Sequence, residues 1–297
     1  MNLSNEIRKI FSQGTTLTKL ILINLGVFLV LKVLSVFFFL FQNTLANDSI
    51  LRFLALPADI STLATRPWTI FTYMFLHEGF LHILFNMLWL FWFGKIFLEY
   101  LDQKKLLSVY LLGGLAGGAL FILAYNVFPV FQQSLSISIA LGASAAVMGI
   151  VMTISFYVPE YKINLMFVGP IKLKYMAIAV IIIDMLSIQG GNAGGHIAHL
   201  GGALFGFLYA SQIKKGNDIS RGFNKMMDWV FSLFKRRSKL KVKYKRPEGK
   251  PETDMDFNKR KADDQHEIDQ ILEKISKSGY DALSKAEKDI LFRSSKK

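Results

Sequence analysis

Long apolar runs separated by short polar links dominate the first 212 residues of this 297-residue chain, and they largely stop beyond that point. A run of about 20 apolar residues is long enough to cross a bilayer as an α-helix. These runs predict an all-α integral membrane protein with six transmembrane helices and a small helical cytoplasmic tail. They cover residues 17–41, 70–98, 106–128, 138–158, 173–188 and 196–212.

Lysine and arginine are unevenly distributed between the links. They occur before the first run, in the 95–105 and 159–174 links and throughout the tail, whereas the alternate links hold only Arg52 and Arg66. Because basic residues favour the cytoplasmic side, both termini are predicted to be cytoplasmic. The first run lacks a small-residue cleavage site, so it reads as a permanent helix and not as a signal peptide. A bacterial inner (plasma) membrane is the expected location.

The tail carries most of the net charge of +13. Beyond a membrane domain at 1–212, we expect a basic juxtamembrane segment and linker at 213–256 and a helical hairpin at 257–297. The stretch 235–246, KRRSKLKVKYKR, holds eight basic residues and no acidic one, beside an apolar, aromatic stretch. This pairing is typical of an amphipathic helix that binds anionic lipid headgroups, and lipid is favoured over nucleic acid. The hairpin, with a break at Gly279, is expected to bind an unknown cytoplasmic partner.

The fourth run is unusually slim around residues 141–150, LGASAAVMGI. Small residues let helix backbones approach closely in lipid, so this helix is predicted to lie at the centre of the bundle. Gly202 and Gly206, four residues apart, predict a second close contact in the sixth run. A serine in such a helix commonly forms an interhelical hydrogen bond, and this is the alternative interpretation of Ser144.

Four polar side chains within the apolar runs are predicted to lie at one depth. Ser144 and His199 lie near the outer ends of their runs, while His82 and Asn86 are four residues apart and share a helix face. Polar side chains inside a membrane are costly and usually functional. Three separate runs therefore direct polar groups into one shallow layer of the outer leaflet.

These groups have the chemistry of a serine hydrolase. The imidazole of His199 is suited to take the proton of the Ser144 hydroxyl, which is otherwise a weak nucleophile. His82 and Asn86 are suited to donate hydrogen bonds to an oxyanion. No carboxylate is expected at the same level, because Asp184 is read as deep in the fifth run. The sequence therefore predicts a Ser–His dyad and not a triad.

No cofactor is predicted. The chain has no cysteine, which excludes a thiol nucleophile and Cys-ligated metals. His196 and His199 are three residues apart and are a conceivable pair of metal ligands. Because no third ligand is expected at their depth, the prediction is that there is no metal site, with His196 structural or solvated near the adjoining loop.

Three sequence blocks resemble those of rhomboid intramembrane proteases. GASAAVMGI resembles the family's G-x-S-x motif, HILFNMLWLFWFG its H-x-x-x-N block, and AHLGGALFG its H-x-x-G-x-x-x-G block, in matching order over residues 17–212. The resemblance implies a six-transmembrane-helix rhomboid-like bundle. It also implies a serine endopeptidase that hydrolyses single-spanning membrane proteins within or just outside the outer leaflet.

The resemblance assigns a role to each matched residue. It makes Ser144 the nucleophile, His199 the general base, and the side chains of His82 and Asn86 the oxyanion donors. It assigns structural support to three glycines: Gly142, Gly202 and Gly206. By the same analogy, the fifth helix is expected to act as a gate for substrates. The uncharged, Gly-rich 188–195 link is expected to act as a mobile lid over the site.

The chain also departs from the family pattern. Ala145 follows the nucleophile where Gly is common, and Met148 stands where an aromatic residue is frequent. The main alternative is a catalytically silent rhomboid-like protein that binds or chaperones client transmembrane segments, and a weaker one is a small-solute transporter. The intact Ser144 and His199 favour the protease.

Overall fold

The computed structural model describes residues 14–165, 169–234 and 253–294. Residues 1–235 and 236–297 form two separate compact units, both mainly helical. The basic stretch 235–246, which the sequence predicts to bind lipid, lies outside the described residues.

The first unit contains helices of very different lengths and two short antiparallel strand pairs. Its helices are α1 (Thr16–Leu40), α2 (Thr44–Leu54), α3 (Ile60–Thr65), α4 (Thr69–Thr72), α5 (Phe80–Tyr100), α6 (Gln103–Val127), α7 (Ser144–Tyr157), α8 (Leu173–Ser187), α9 (Ala193–Lys214) and α10 (Arg221–Phe234). Its strands are β1 (Leu56–Pro57), β2 (Ile139–Ala140), β3 (Lys162–Leu165) and β4 (Gly169–Lys172).

Three of these helices, α1, α5 and α6, are long and apolar enough to cross a membrane, in the part of the chain that the structure describes. Helix α7 is apolar but has only 14 residues. The prediction of a mainly helical fold with apolar helices of membrane-spanning length is confirmed, and the count of six membrane spans stays a prediction. Each of the six apolar runs overlaps one of the helices α1, α5, α6, α7, α8 and α9.

Two helices begin later than the apolar runs suggest. Helix α5 starts at Phe80, because Gly79 is extended and α4 with a 3₁₀ turn occupies the preceding residues. Helix α7 starts at Ser144, and Gly142 before it has φ = +130°, which a helix cannot accommodate. Ser144 is therefore the first residue of its helix and does not lie a turn and a half inside it.

Helix α7 is the centre of the first unit. It packs against α5, α6, α8 and α9, and every residue from Ala145 to Ser155 is buried. Its most extensive partner is α9, which also packs closely on α6. The predicted central position of the slim helix is confirmed.

At two glycines of α9, the backbones of α7 and α9 lie in direct contact. A Cβ atom at Gly202 would overlap the carbonyl oxygen of Ala145, and one at Gly206 would overlap that of Gly149. The hydroxyl of Thr153 donates hydrogen bonds to the Gly149 and Gly206 carbonyl oxygens, at 2.7 and 3.2 Å. Backbone-to-backbone approach of this kind stabilises helix pairs in lipid through close van der Waals contact.

One antiparallel strand pair lies at each end of α7. Strand β2, just before α7, pairs antiparallel with β1, with Leu56 opposite Ala140. After α7, β3 and β4 form a hairpin in the link predicted to be cytoplasmic. There Glu160 forms ion pairs with Lys172 and Lys174, and these two ammonium groups lower the pKa of its carboxyl to about 2.

Helix α10 follows α9 after a short turn and contacts α6. The Ser108 hydroxyl donates a 2.6 Å hydrogen bond to Asn224 Oδ1, and Lys104 pairs with Asp228 at 3.1 Å. Met226 and Trp229 of this helix are exposed. An exposed apolar face on a helix near the membrane domain suits the headgroup region.

The second unit is a helical hairpin. Helix α11 (Asp254–Ser278) opens with a capping box between Thr253 and Asp256, and a 3₁₀ turn connects it to α12 (Lys285–Ser294). Gly279 ends α11 with φ = +80°, as the predicted break requires. Among the residues of this unit that the structure describes, the buried apolar ones are Ile271 and Leu283.

The α7–α9 contact yields a stability prediction. We expect Gly206→Ala to lower the free energy of unfolding by about 1–3 kcal/mol, because the added methyl group forces two packed backbones apart. The measurement is thermal or denaturant unfolding of the full chain in detergent.

The matched control is Gly26→Ala on α1, where an added Cβ meets nothing within 4 Å. That change should be neutral, or stabilising by up to about 1 kcal/mol, because alanine restricts the unfolded chain more than glycine does. Equal effects of the two substitutions would contradict the proposed role of this contact.

Candidate active site

A cavity of about 900 Å³ lies between α5, α7, α8, α9 and the loop before α7. Both polar and apolar residues line it, and the apolar ones include Phe85, Trp89 and Val180. All four polar residues predicted from the sequence line this one cavity: His82, Asn86, Ser144 and His199.

Ser144 is half-buried at the N-terminus of α7. The backbone N–H groups of a first helical turn have no partner within the helix, and the helix dipole places partial positive charge there. Negative charge that develops beside Ser144 would therefore be stabilised by its own helix.

Gly142 leaves open the space between two functional side chains. A Cβ atom there would lie 2.9 Å from His82 Nε2 and 3.4 Å from Ser144 Oγ. Its backbone N–H donates to the Tyr73 carbonyl oxygen at 2.9 Å, which anchors the loop. Because its φ is +130°, a side chain at this position would be strained as well as crowded.

His82 and Asn86 project from adjacent turns of α5. The Asn86 side-chain amide donates to the His82 carbonyl oxygen at 2.9 Å, which uses one of its two N–H bonds. The ring of His82 packs edge-on against that of His77, with centroids 5.1 Å apart. The second amide N–H of Asn86 and the imidazole of His82 are two hydrogen-bond donors that α5 can offer to the cavity.

Ser144 and His199 line the same cavity, but no hydrogen bond joins their side chains in the described part of the chain. Hydrogen bonds between catalytic groups are often long without substrate and shorten when it binds. The structure thus brings the predicted nucleophile and base to one space without linking them directly.

Asp184 corrects the prediction that no carboxylate lies near the base. Its Oδ1 atom is 3.0 Å from His199 Nδ1 and 2.7 Å from His196 Nδ1. Asp184 lies three positions before Ser187, the last residue of α8, so it stands at the end of the helix that leads into α9 and not in the middle of the fifth run. Two signals in the sequence could have located Asp184: the predicted direction of the fifth run, and the short separation of Asp184 from the link that begins at residue 188.

The carboxylate also constrains the two imidazole rings. An ionised carboxylate only accepts hydrogen bonds, so each ring donates from its protonated Nδ1. In the neutral ring, Nε2 is then unprotonated and carries a free lone pair. For His199, this is the tautomer that a general base needs. The side chain of Asp184 is buried, with 7% of it exposed. Because burying a carboxylate is costly unless it is hydrogen-bonded, the two hydrogen bonds offset the cost of placing it there.

The expectation that His196 and His199 lack a third potential metal ligand is also wrong. Asp184 and the two histidines each offer a ligand atom, and these atoms lie within 4.8 Å of one another. His196 lies in the first turn of α9, and its side chain is about one-quarter exposed. Its contact with Asp184 agrees with the structural alternative of the two that the sequence offered, structural or solvated.

The comparison with protein families agrees with the three sequence blocks. Residues 64–215, half of the chain, match the Rhomboid domain family. The chain belongs to the rhomboid family. Residues 252–297, which include the second-unit helices, match a family of unknown function, DUF6576.

Individual rhomboid relatives come from bacteria and from eukaryotic organelles. The chain is 32% identical to RHOMBOID-like protein 12, mitochondrial, of Arabidopsis thaliana over 158 residues, 50% of this chain and 47% of the relative. It is 32% identical to Rhomboid protease AarA of Providencia stuartii over 146 residues, 46% and 52% of the two chains. It is 31% identical to Rhomboid protein 1, mitochondrial, of Saccharomyces cerevisiae over 151 residues, 50% and 42%.

The chain spans about half the length of the curated relatives that it matches. Rhomboid membership supports an integral membrane protein, and the protease-named relatives support intramembrane proteolysis as the family-level activity.

Proposed function

We propose that this protein is an intramembrane serine endopeptidase that cleaves single-spanning membrane proteins near the outer leaflet. The observation that carries the proposal is the shared cavity, in which Gly142 leaves open space between Ser144 Oγ and the His82 ring while His199 lies on the facing helix α9. A packing role for Ser144 does not account for histidines on two other helices at the same cavity.

The chemistry follows from the positions of these groups. Ser144 Oγ attacks the carbonyl carbon of the scissile peptide bond, and His199 Nε2 takes its proton. The same proton is returned to the leaving amine, and a water then hydrolyses the acyl-enzyme by the reverse sequence. Asp184 acts as a positioning residue, because it holds the Nδ1–H of His199 and so keeps Nε2 free.

The oxyanion is stabilised from two sides in this proposal. His82 and Asn86 donate from α5, and the N-terminal backbone N–H groups of α7 add the positive end of a helix dipole. Gly142 keeps the intervening space free of a side chain, while Gly202 and Gly206 hold α9 close to α7 so that His199 reaches the cavity.

We propose six membrane spans, formed by α1, α5, α6, α7, α8 and α9. Helices α7 and α8 are short, and burial of α7 within the bundle removes the need for it to match the full bilayer thickness. Substrates enter between α5 and α8, where Phe85, Trp89 and Val180 border the cavity. The proposed lid is shorter than the predicted 188–195 link, because α9 already begins at Ala193.

We also propose a location and a role for the tail. The proposed location is a bacterial inner membrane with cytoplasmic termini, and the distribution of Lys and Arg supports the side assigned to the termini. The basic segment within 213–256 binds anionic headgroups through 235–246, supported by the exposed Met226 and Trp229 of the preceding helix α10. The hairpin in 257–297 binds a cytoplasmic partner.

Cleavage of labelled single-span substrates by the purified full chain in detergent tests the proposed reaction. We expect Ser144→Ala and His199→Ala to reduce cleavage to background, and His82→Ala to reduce kcat by about 100-fold through loss of an oxyanion donor. Asp184→Asn should lower kcat by at least about 10-fold with little change in KM, because it disturbs the tautomer of the base but not substrate binding.

Ser155→Ala is the matched control, since Ser155 lies on the same helix, is buried and does not line the cavity. It should retain cleavage. Cleavage that survives Ser144→Ala would refute the assignment of Ser144 as the nucleophile. Tight binding of the same substrates without cleavage by the wild type would favour the alternative, a catalytically silent client-binding protein.

Deletion of 235–246 tests the lipid proposal. The full chain in zwitterionic nanodiscs should co-sediment with anionic liposomes at low salt and detach as salt screens the charges. The deletion variant should show little binding at any salt concentration. Equal binding of both proteins, or equal binding to zwitterionic liposomes, would refute the lipid role.

A further inference from the structure

The side chains of Asp184, His196 and His199 form a cluster, here called the outer cluster, at the ends of α8 and α9. Their ligand atoms lie within 4.8 Å of one another, and Asp184 Oδ1 is within 3.0 Å of both Nδ1 atoms. A carboxylate oxygen and two imidazole nitrogens are a ligand set that suits Zn²⁺, which binds four ligands tetrahedrally.

The outer cluster contains an unsatisfied acceptor. Asp184 Oδ2 is buried and has no hydrogen-bond partner among the described residues. Leaving a buried acceptor unpaired costs free energy, and for a carboxylate oxygen the cost is larger than for a neutral group. A bound cation would supply the missing interaction.

The outer cluster is also reachable. The side chains of His196 and His199 are 24% and 23% exposed, and both Asp184 and His199 line the cavity. An ion can therefore reach His199 from the cavity and His196 from its exposed side. Two imidazoles among three ligands favour Zn²⁺ over Ca²⁺ and Mg²⁺, which prefer oxygen.

We propose that the outer cluster is a regulatory zinc site that switches the protease off. Asp184, His196 and His199 hold the ion, and a water molecule fills the fourth position. The inhibitory part rests on the proposed function, because it requires His199 to be the general base.

Inhibition follows from the tautomer of His199. In the metal-free site its proton is on Nδ1, bonded to Asp184, and Nε2 has the lone pair that accepts the Ser144 proton. When Zn²⁺ bonds to Nδ1, the neutral ring must carry its proton on Nε2, to which solvent transfers it. The ring then offers an N–H to Ser144, and proton abstraction stops.

The test uses Zn²⁺ alone as the probe, with the full chain purified in detergent without an affinity tag. We expect one Zn²⁺ per chain by competition with a chromophoric chelator, and at least about 10-fold weaker binding in His196→Ala. His196→Gln is a second variant with a side chain closer in size. His266→Ala is the matched control, because His266 lies on α11 in the second unit and is exposed. It should bind like the wild type.

Cleavage is then measured as a ratio to each variant's own zinc-free rate. Zinc should inhibit the wild type over the range in which it binds, a chelator should restore the rate, and His196→Ala should need at least about 10-fold more zinc. Equal zinc affinity in the wild type and both His196 variants would overturn the site. Full occupancy with an unchanged rate would overturn the inhibition. Absence of cleavage without zinc would contradict the proposed function, while the binding measurement still decides the zinc site.

Discussion

Backbone contact between α7 and α9 is the constraint on which the rest of the membrane unit depends. In lipid, helices gain little from hydrophobic burial against each other, so close packing and interhelical hydrogen bonds must hold them together. Gly202 and Gly206 have no side chains that would separate the helices, and the Thr153 hydroxyl donates a hydrogen bond across the contact to the Gly206 carbonyl oxygen. The distance between Ser144 and His199 is set by this contact.

The buried carboxylate of Asp184 is the second feature with large consequences. An unpaired charge at this position would be strongly destabilising, and the two hydrogen bonds from α9 compensate for its burial. The same interactions fix the orientation of His199. Stability where the end of α8 meets the start of α9 is therefore coupled to the chemistry of the cavity through one side chain.

Much of the fold and of the site was predictable from the sequence. Hydrophobic run length identifies the six main helices, and small residues identify α7 as the central one. Ser144, His82 and His199 were predicted to share a layer because three runs have the same direction. The predicted start of α7, at residue 138, was wrong. The length of an apolar run does not reveal that Gly142 has a positive φ, which delays the start of the helix to Ser144. The two short strand pairs are too brief to leave a periodic signal.

Asp184 shows why the remainder of the site was missed. Its depth depends on the direction of α8, which is opposite to that of the other site helices, and on the short turn that returns the chain to α9. The proximity of its carboxylate to two histidines is a property of this turn and of helix packing. Sequence spacing within one helix carries no information about it.

The central claim is that Ser144 is a nucleophile activated by His199. The most direct measurement is covalent labelling of the full chain in detergent with a fluorophosphonate, followed by mass spectrometry of the modified peptide. The account predicts one adduct, on Ser144, that disappears in His199→Ala while the variant remains folded. An adduct on another serine, or equal labelling of Ser144 without His199, would contradict it.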